Sequence, residues 1–352
     1  MYHRSKNFTL YVLLVSSAFA FTEVVSAQSS SQYQSFRTEN GHPDLQGVWN
    51  FSSNTPMQRD QRFGDREFLG PDELQEVRAR LFQEAAQAAA RASEGGDSRD
   101  APPKDTSLQT WISYNDFWEE SAGIGEPTRT SHVVYPANGR VPEAINGNEF
   151  LYSGRVDIQG SRPVRFVIGG IGRDGPEDRG LSSRCLVGFN SGPPFVPSRY
   201  NNNVQIFQGN DAVVIMTEMI HDARIVPLGN GKHLDDNIRL WSGDSRGWWE
   251  GETLVVQTKN FNGLRQTFNF TGSNEEMTLT ERFTRLAYDQ LEYAFTIDDP
   301  ATFSDKISAV VPMTKVAGQI YEYACHEGNY AMTNILRGAR IEEKLAGDKG
   351  VD

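Results

Sequence analysis

The sequence predicts a mainly β protein. An antiparallel barrel or strongly curled sheet spans residues 200–340, packed against an irregular N-terminal half (41–199) that carries one surface helix. Three observations predict it. From Asn202 onward apolar residues recur at every second position, as in Leu291, Tyr293, Phe295 and Ile297. Turn-forming clusters such as Gly209-Asn210-Asp211 and Gly229-Asn230-Gly231 punctuate these runs. No helical period intervenes, so consecutive strands are expected to pair as antiparallel neighbours. About eight such strands close a barrel around side chains or one small ligand.

Taken in order, the first 27 residues read as a secretory signal peptide. Arg4 and Lys6 form its basic start, Phe8 to Phe21 its apolar body, and Val25-Ser26-Ala27 a small-residue cleavage site before Gln28. An uncleaved anchor is the alternative, but the apolar body is short of the ~20 residues a span needs. Residues 28–40 form a polar tail. Asp44 to Trp49 has strand character. Pro71 opens the clearest helix, with Asp72, Glu73 and Glu76 in the first turn, where the helix dipole favours negative charge. Leu74, Val77, Leu81 and Ala85 make one thin apolar stripe, which suits a surface helix. Gly95-Gly96 end it, and residues 94–106 read as a solvated linker. Trp111 to Trp118 is an aromatic run, read as a packed anchor or, alternatively, a ligand platform. Residues 129–140 read as a strand and a Pro/Asn/Gly turn. Gly169-Gly170-Ile171-Gly172 reads as a loop, since no helix pattern follows it.

In the β region, residues 204–207, 212–228, 253–261, 267–271, 278–286, 291–297, 307–312 and 319–325 are the expected strands. The run at 212–228 is long enough that it must bend or bulge. A short helix and a tail (341–352) complete the chain.

Charge excludes some functions. The chain has 34 Lys and Arg against 46 Asp and Glu, a formal charge of −12. Without the first 27 residues this becomes −(46−1)+(34−2) = −13. A nucleic-acid partner needs a basic footprint, and an anionic membrane surface would repel such a chain. No later stretch is long and apolar enough for a membrane span, so the exported chain is expected to be soluble and periplasmic or secreted. The only two cysteines are Cys185 and Cys325. An oxidising compartment would let them pair, closing a loop worth roughly 4–5 kcal/mol; two buried free thiols are the alternative.

Several motifs together carry a resemblance. They include Asp44-Leu45-x-Gly47-x-Trp49, Glu218-Met219-Ile220-His221-Asp222-Ala223-Arg224-Ile225, Gly243-Asp244-Ser245-Arg246-Gly247 and Tyr321-Glu322-Tyr323-Ala324-Cys325-His326-Glu327-Gly328-Asn329-Tyr330. With these the chain resembles a family of exported bacterial proteins across nearly its whole length. No activity comes with that resemblance, so no catalytic residue carries over. Gly47-x-Trp49 followed by a late β meander is also similar to lipocalins. The helix and linker after the tryptophan, and about twice the usual length, depart from them.

The candidate chemistry lies in two runs. Glu218, His221, Asp222 and Arg224 interrupt an apolar strand. Strict alternation puts Glu218, Asp222 and Arg224 on one face and His221 on the other. His221 can exchange protons near neutral pH, with Asp222, Glu218 or His326 as its partner, and Arg224 can orient a polar substrate group. Tyr323, His326 and Glu327 sit where a strand ends, beside Cys325. Trp249 is the candidate pocket wall. No metal-ligand spacing and no dinucleotide or P-loop fingerprint is present, so no cofactor and no metal is expected. These features point to a cofactor-free enzyme acting by acid/base chemistry on a small, partly apolar molecule, of isomerase, lyase or hydratase type. The alternative is a lipocalin-like carrier of such a molecule. The partner is thus a small-molecule substrate or ligand. The sequence leaves the oligomeric state open.

Overall fold

The computed structural model describes residues 36–93, 128–145, 173–198, 200–265, 267–268 and 272–348. The expected signal peptide, most of the 28–40 tail, the 94–106 linker, the 111–118 aromatic run and the 169–172 glycines lie outside the described residues, as does most of the 267–271 strand.

Ten strands form one antiparallel sheet: β1 (Gly47–Asn50), β2 (Val133–Tyr135), β3 (Asn203–Gln208), β4 (Ala212–Thr217), β5 (Ala223–Pro227), β6 (Asp244–Glu250), β7 (Thr253–Lys259), β8 (Thr278–Arg285), β9 (Gln290–Asp298) and β10 (Ile307–Val316). The order is β5-β4-β3-β1-β10-β9-β8-β7-β6, with β2 added to β10. The path therefore contains nine strands, an odd number. Antiparallel alternation leaves its two end strands, β5 and β6, pointing the same way. They meet at a single parallel bridge between Leu228 and Gly247, where Gly229 N donates to Gly247 O at 2.9 Å. The sheet thus curls until its edges touch without closing its ladder. Gly247 permits that approach: a Cβ there would stand 2.8 Å from Val226 Cγ1 and 3.0 Å from Leu228 Cδ2.

The alternation expected from the sequence is realised. On β8, Leu279, Glu281, Phe283 and Arg285 point inward, and on β9 Leu291, Tyr293, Phe295 and Ile297. With Trp49, Ile206, Ile215, Val226, Val256 and Val311 they fill the interior as one continuous core. The expected sheet began at residue 200, but β1 and β2 come from earlier in the chain. β1 lies between β3 and β10, pairing Val48 with both Gln205 and Val316. A four-residue apolar segment could not stand alone as a strand. Here it completes two edges that would otherwise expose unpaired amides. Trp49 anchors it, fully buried, its indole donating to Leu45 O at 2.8 Å.

Helix α1 (Pro71–Ser93) starts where Pro71 and the acidic first turn place it. Leu74, Val77 and Leu81 are half-buried and Phe82 is exposed, as a thin stripe on a surface helix requires. Helix α2 (Tyr330–Asp348) is longer than the short helix expected and takes in most of the tail. It is tied down through polar contacts: Arg173 to Glu342 at 2.8 Å, and Arg340 to the Asp174 carbonyl at 2.8 Å.

Candidate functional site

The Glu218–Arg224 run does not continue as one strand. After β4 the chain makes a tight turn through Met219–His221 and returns as β5. Ile220 (φ 64°) and His221 (φ 44°) both take left-handed backbone conformations. For a β-branched residue this costs about 1–3 kcal/mol. Burial of Met219 and Ile220 beneath Cys185, with Phe189 and Tyr323 packed alongside, holds it in place. The turn breaks the period of two, so the faces expected from strict alternation do not apply. Glu218 is buried and accepts from Asn203 Nδ2 at 2.9 Å. His221 and Asp222 are exposed on the turn. Asp222 accepts from Ser242 Oγ at 3.3 Å.

Arg224 points into the curled sheet. Its guanidinium makes a bidentate ion pair with Glu281, which is fully buried, through one very close contact and one of 2.9 Å. Tyr293 donates to the same carboxylate at 2.9 Å and accepts from Phe195 N at 3.1 Å. Burial, and then the Glu281 charge, push the Tyr293 hydroxyl well above its ordinary pKa, so it stays a neutral donor. Nearby, Arg265 is buried and held to the Gly192 carbonyl at 3.3 Å; burial lowers it to about 10, against the field of Asp222. Asp222 also acts on Arg224. This end of the sheet is thus a polar plug centred on the Glu281 carboxylate, in which Arg265 Nε is left without a partner. Arg224 is committed to Glu281 rather than offered to a ligand, and Glu281 went unnoticed because it looks like any polar residue in an alternating strand.

The second run is joined to the first. His221 Nδ1 lies 3.2 Å from the carbonyl oxygen of Tyr323. Cys185 and Cys325 pair as a disulfide with their Cα atoms 5.9 Å apart. Tyr323 is half-buried against that cluster, while His326 and Glu327 are exposed. The four residues expected to move protons therefore do not surround one cavity: three lie on the surface and Glu218 lies beneath. Trp249 does line a cavity, of about 300 Å³, with Arg37, Asn40, Gln208 and Asn210, at the seam between β5 and β6. His42 stacks on its ring at 4.7 Å. Among the described residues, no group of three or more His, Cys, Asp and Glu is placed to hold a metal ion.

A further site escaped the sequence reading. A cleft of about 610 Å³ lies on the outer face of β9 and β10, walled by residues 52–55, Phe68, Thr128, Arg129 and His132. That is within the range of small-molecule sites, roughly 300–1,000 Å³. Its lining is mixed: Phe68, Leu286 and Pro312 against Ser53, Arg129 and Glu292. His132, 1% exposed, reaches it from below. Its Nδ1 is 2.7 Å from the Val310 carbonyl. A carbonyl only accepts, so Nδ1 carries the proton and Nε2 presents a lone pair. That Nε2 is buried and has no partner. Burial lowers the imidazole to about 4; the Val310 bond opposes this and Arg129 adds to it. His132 is thus a neutral side chain in the wall of a cleft of mixed lining. The only sequence signal was a histidine between Ser131 and two valines, a pattern as common in cores as in sites.

No protein-family model and no curated protein matches the sequence.

Proposed function

We propose that this protein binds a small, partly apolar molecule in the His132 cleft, on the outside of the curled sheet. One observation carries this reading: His132, whose buried Nε2 has no hydrogen-bond partner, is part of the wall of a cleft of ligand size. A buried polar atom without a hydrogen bond costs about 1–3 kcal/mol, which a ligand donor would recover. The ligand is therefore expected to carry a hydroxyl or N–H group beside an apolar body that meets Phe68, Leu286 and Pro312. The filled interior of the sheet favours this outer cleft over a lipocalin-like internal cavity. We also place the protein outside the cytoplasm. The disulfide supports this, and no helix among the described residues is long and apolar enough to cross a membrane.

The test is a ligand-observed NMR screen of small alcohols and amines against the full chain and His132→Leu. Binding by the wild type that is lost in the folded variant supports the reading. Binders that are indifferent to His132 would refute it.

A second reading, acid/base catalysis by His221 with Asp222, Glu218 and His326, is favoured by the contact that joins the two runs. The exposure of His221 and the commitment of Arg224 to Glu281 weigh against it. Turnover of a substrate by the wild type, abolished in His221→Ala, would restore it.

A further inference from the structure

We propose that a second cleft, between α1 and the segments 56–62 and 128–140, is an anion-binding site for a small molecule bearing a carboxylate or phosphate group. The cleft has a volume of about 620 Å³, and five of its fourteen lining residues are arginines: Arg59, Arg62, Arg80, Arg129 and Arg140. Asp60 is the only carboxylate among the fourteen. In a chain with an acidic excess of twelve, such a concentration of one sign runs against the composition.

Arg80 has an interaction of its own, and for the other four arginines the positive charge is only partly neutralised among the described residues. Arg129 pairs with Glu67. Arg62 has Asp60 at 3.8 Å, a loose contact between exposed groups. Arg140 donates to the Arg59 carbonyl at 2.7 Å, and among the described residues no carboxylate pairs with it. Arg59 is 1% exposed. It is fixed through the Ala137 carbonyl at 2.7 Å, and its buried Nε has no partner. Burial lowers the pKa of Arg59, with Asp65 opposing. Burial also lowers that of Arg129; Glu292 opposes this and the charge of Arg59 adds to it. The two cations therefore repel each other across a partly desolvated cleft. A bound anion would relieve that repulsion, and guanidinium forks match carboxylate and phosphate oxygens in pairs.

The site has a defined shape. Phe63, Leu69 and Val77 add apolar surface to the lining beside the arginines. Arg62 lies 4.6 Å over the Phe63 ring, which holds its guanidinium at the rim. Gly139 packs closely against Arg59: with φ +65°, a Cβ there would stand 2.7 Å from Arg59 Nε. The cleft shares Asn54 and Arg129 with the His132 cleft. The anion site nevertheless stands on its own observations and is tested without the unidentified ligand.

The experiment is isothermal titration of the full chain with inorganic phosphate and, separately, with succinate. Wild type, Arg62→Gln/Arg140→Gln and the α2 surface control Arg337→Gln are compared, with folding checked by thermal melting. The expected result is one-site binding of at least one anion, with Kd on the order of 1 mM or tighter. The double variant weakens it at least tenfold, as the loss of charged hydrogen bonds of about 1.5–3 kcal/mol implies. Raising salt from about 50 to about 500 mM weakens it further, and the control binds like the wild type. The tighter of the two anions identifies the group as phosphate or carboxylate. Absence of binding for both at low salt, or equal binding by wild type and double variant, overturns the proposal. If the double variant does not fold, Arg62→Gln alone replaces it. Its side chain is largely exposed, and unchanged affinity there would overturn the proposal as well.

Discussion

Glu281→Ala is expected to be among the most destabilising single changes in the sheet. Glu281 is fully buried in the centre of β8, between Leu279 and Phe283 on the inward face. Its carboxylate holds both ends of the Arg224 fork and accepts from Tyr293 at 2.9 Å. Removing it leaves a guanidinium that is 9% exposed with no carboxylate partner, and a tyrosine hydroxyl whose remaining partner is a donor. Breaking one side of a buried pair costs about 3–5 kcal/mol, and an orphaned hydroxyl about 1–3 more where it finds no other acceptor. We expect a loss of ~4 kcal/mol or more, read from urea denaturation followed by tryptophan fluorescence. The double variant Arg224→Met/Glu281→Leu removes both charges and keeps the volume. It should stand within about 2 kcal/mol of the wild type, or above it, because a buried pair rarely exceeds a well-packed apolar replacement. A loss below ~1 kcal/mol for Glu281→Ala would refute the reasoning. So would a double variant as damaged as the two single variants added together.

Three further outcomes follow from the same structure. His132 titrates at about 4 when folded against 6.5 in an open chain, so the unfolded state takes up its proton first as pH falls. Stability should be unaffected above pH ~6.5 and fall by up to about 3 kcal/mol between there and pH ~4. His132→Leu should remove that component from the pH profile measured by melting. Cys185→Ser/Cys325→Ser opens a link across 140 residues of sequence and should cost about 5 kcal/mol in the chain-entropy picture. A midpoint unchanged between oxidised and reduced protein would contradict it. Gly139→Ala must adopt φ +65° and crowd Arg59 Nε, so it should lose more than about 1 kcal/mol in chemical denaturation. A neutral result would mean that the 136–140 turn relaxes freely.

Strands β8 and β9 were legible because one face of the sheet is buried and the period of two is written in Leu279/Phe283 and Leu291–Ile297, whereas the strand expected at 319–325 does not form. Helix α1 was legible from Pro71, its acidic first turn and the glycines after it. That 212–228 must bend was legible from its length, but the tight turn at 219–221 that splits it into β4 and β5 was not. It depends on Ile220 and His221 taking left-handed conformations, which tertiary packing under the disulfide imposes and local propensity opposes. The membership of β1 and β2 was also hidden, because strand pairing across more than 150 residues leaves no local trace. At the candidate site, the residue types were visible and their directions were not. Arg224 was rightly singled out as unusual in an apolar strand. Its partner Glu281 could not be named without the curl that brings β5 over β8. His132 was invisible for the opposite reason: its chemistry comes from what the fold withholds from Nε2.

The central claim, that a ligand sits against His132, is tested most directly by mass. The chain would be purified from an exporting host as wild type and as folded His132→Leu, and each weighed under native and then denaturing conditions. The account predicts an excess of a ligand's mass on the native wild type, lost on denaturation and absent from the variant. No excess on the wild type, or the same excess on both, would contradict it.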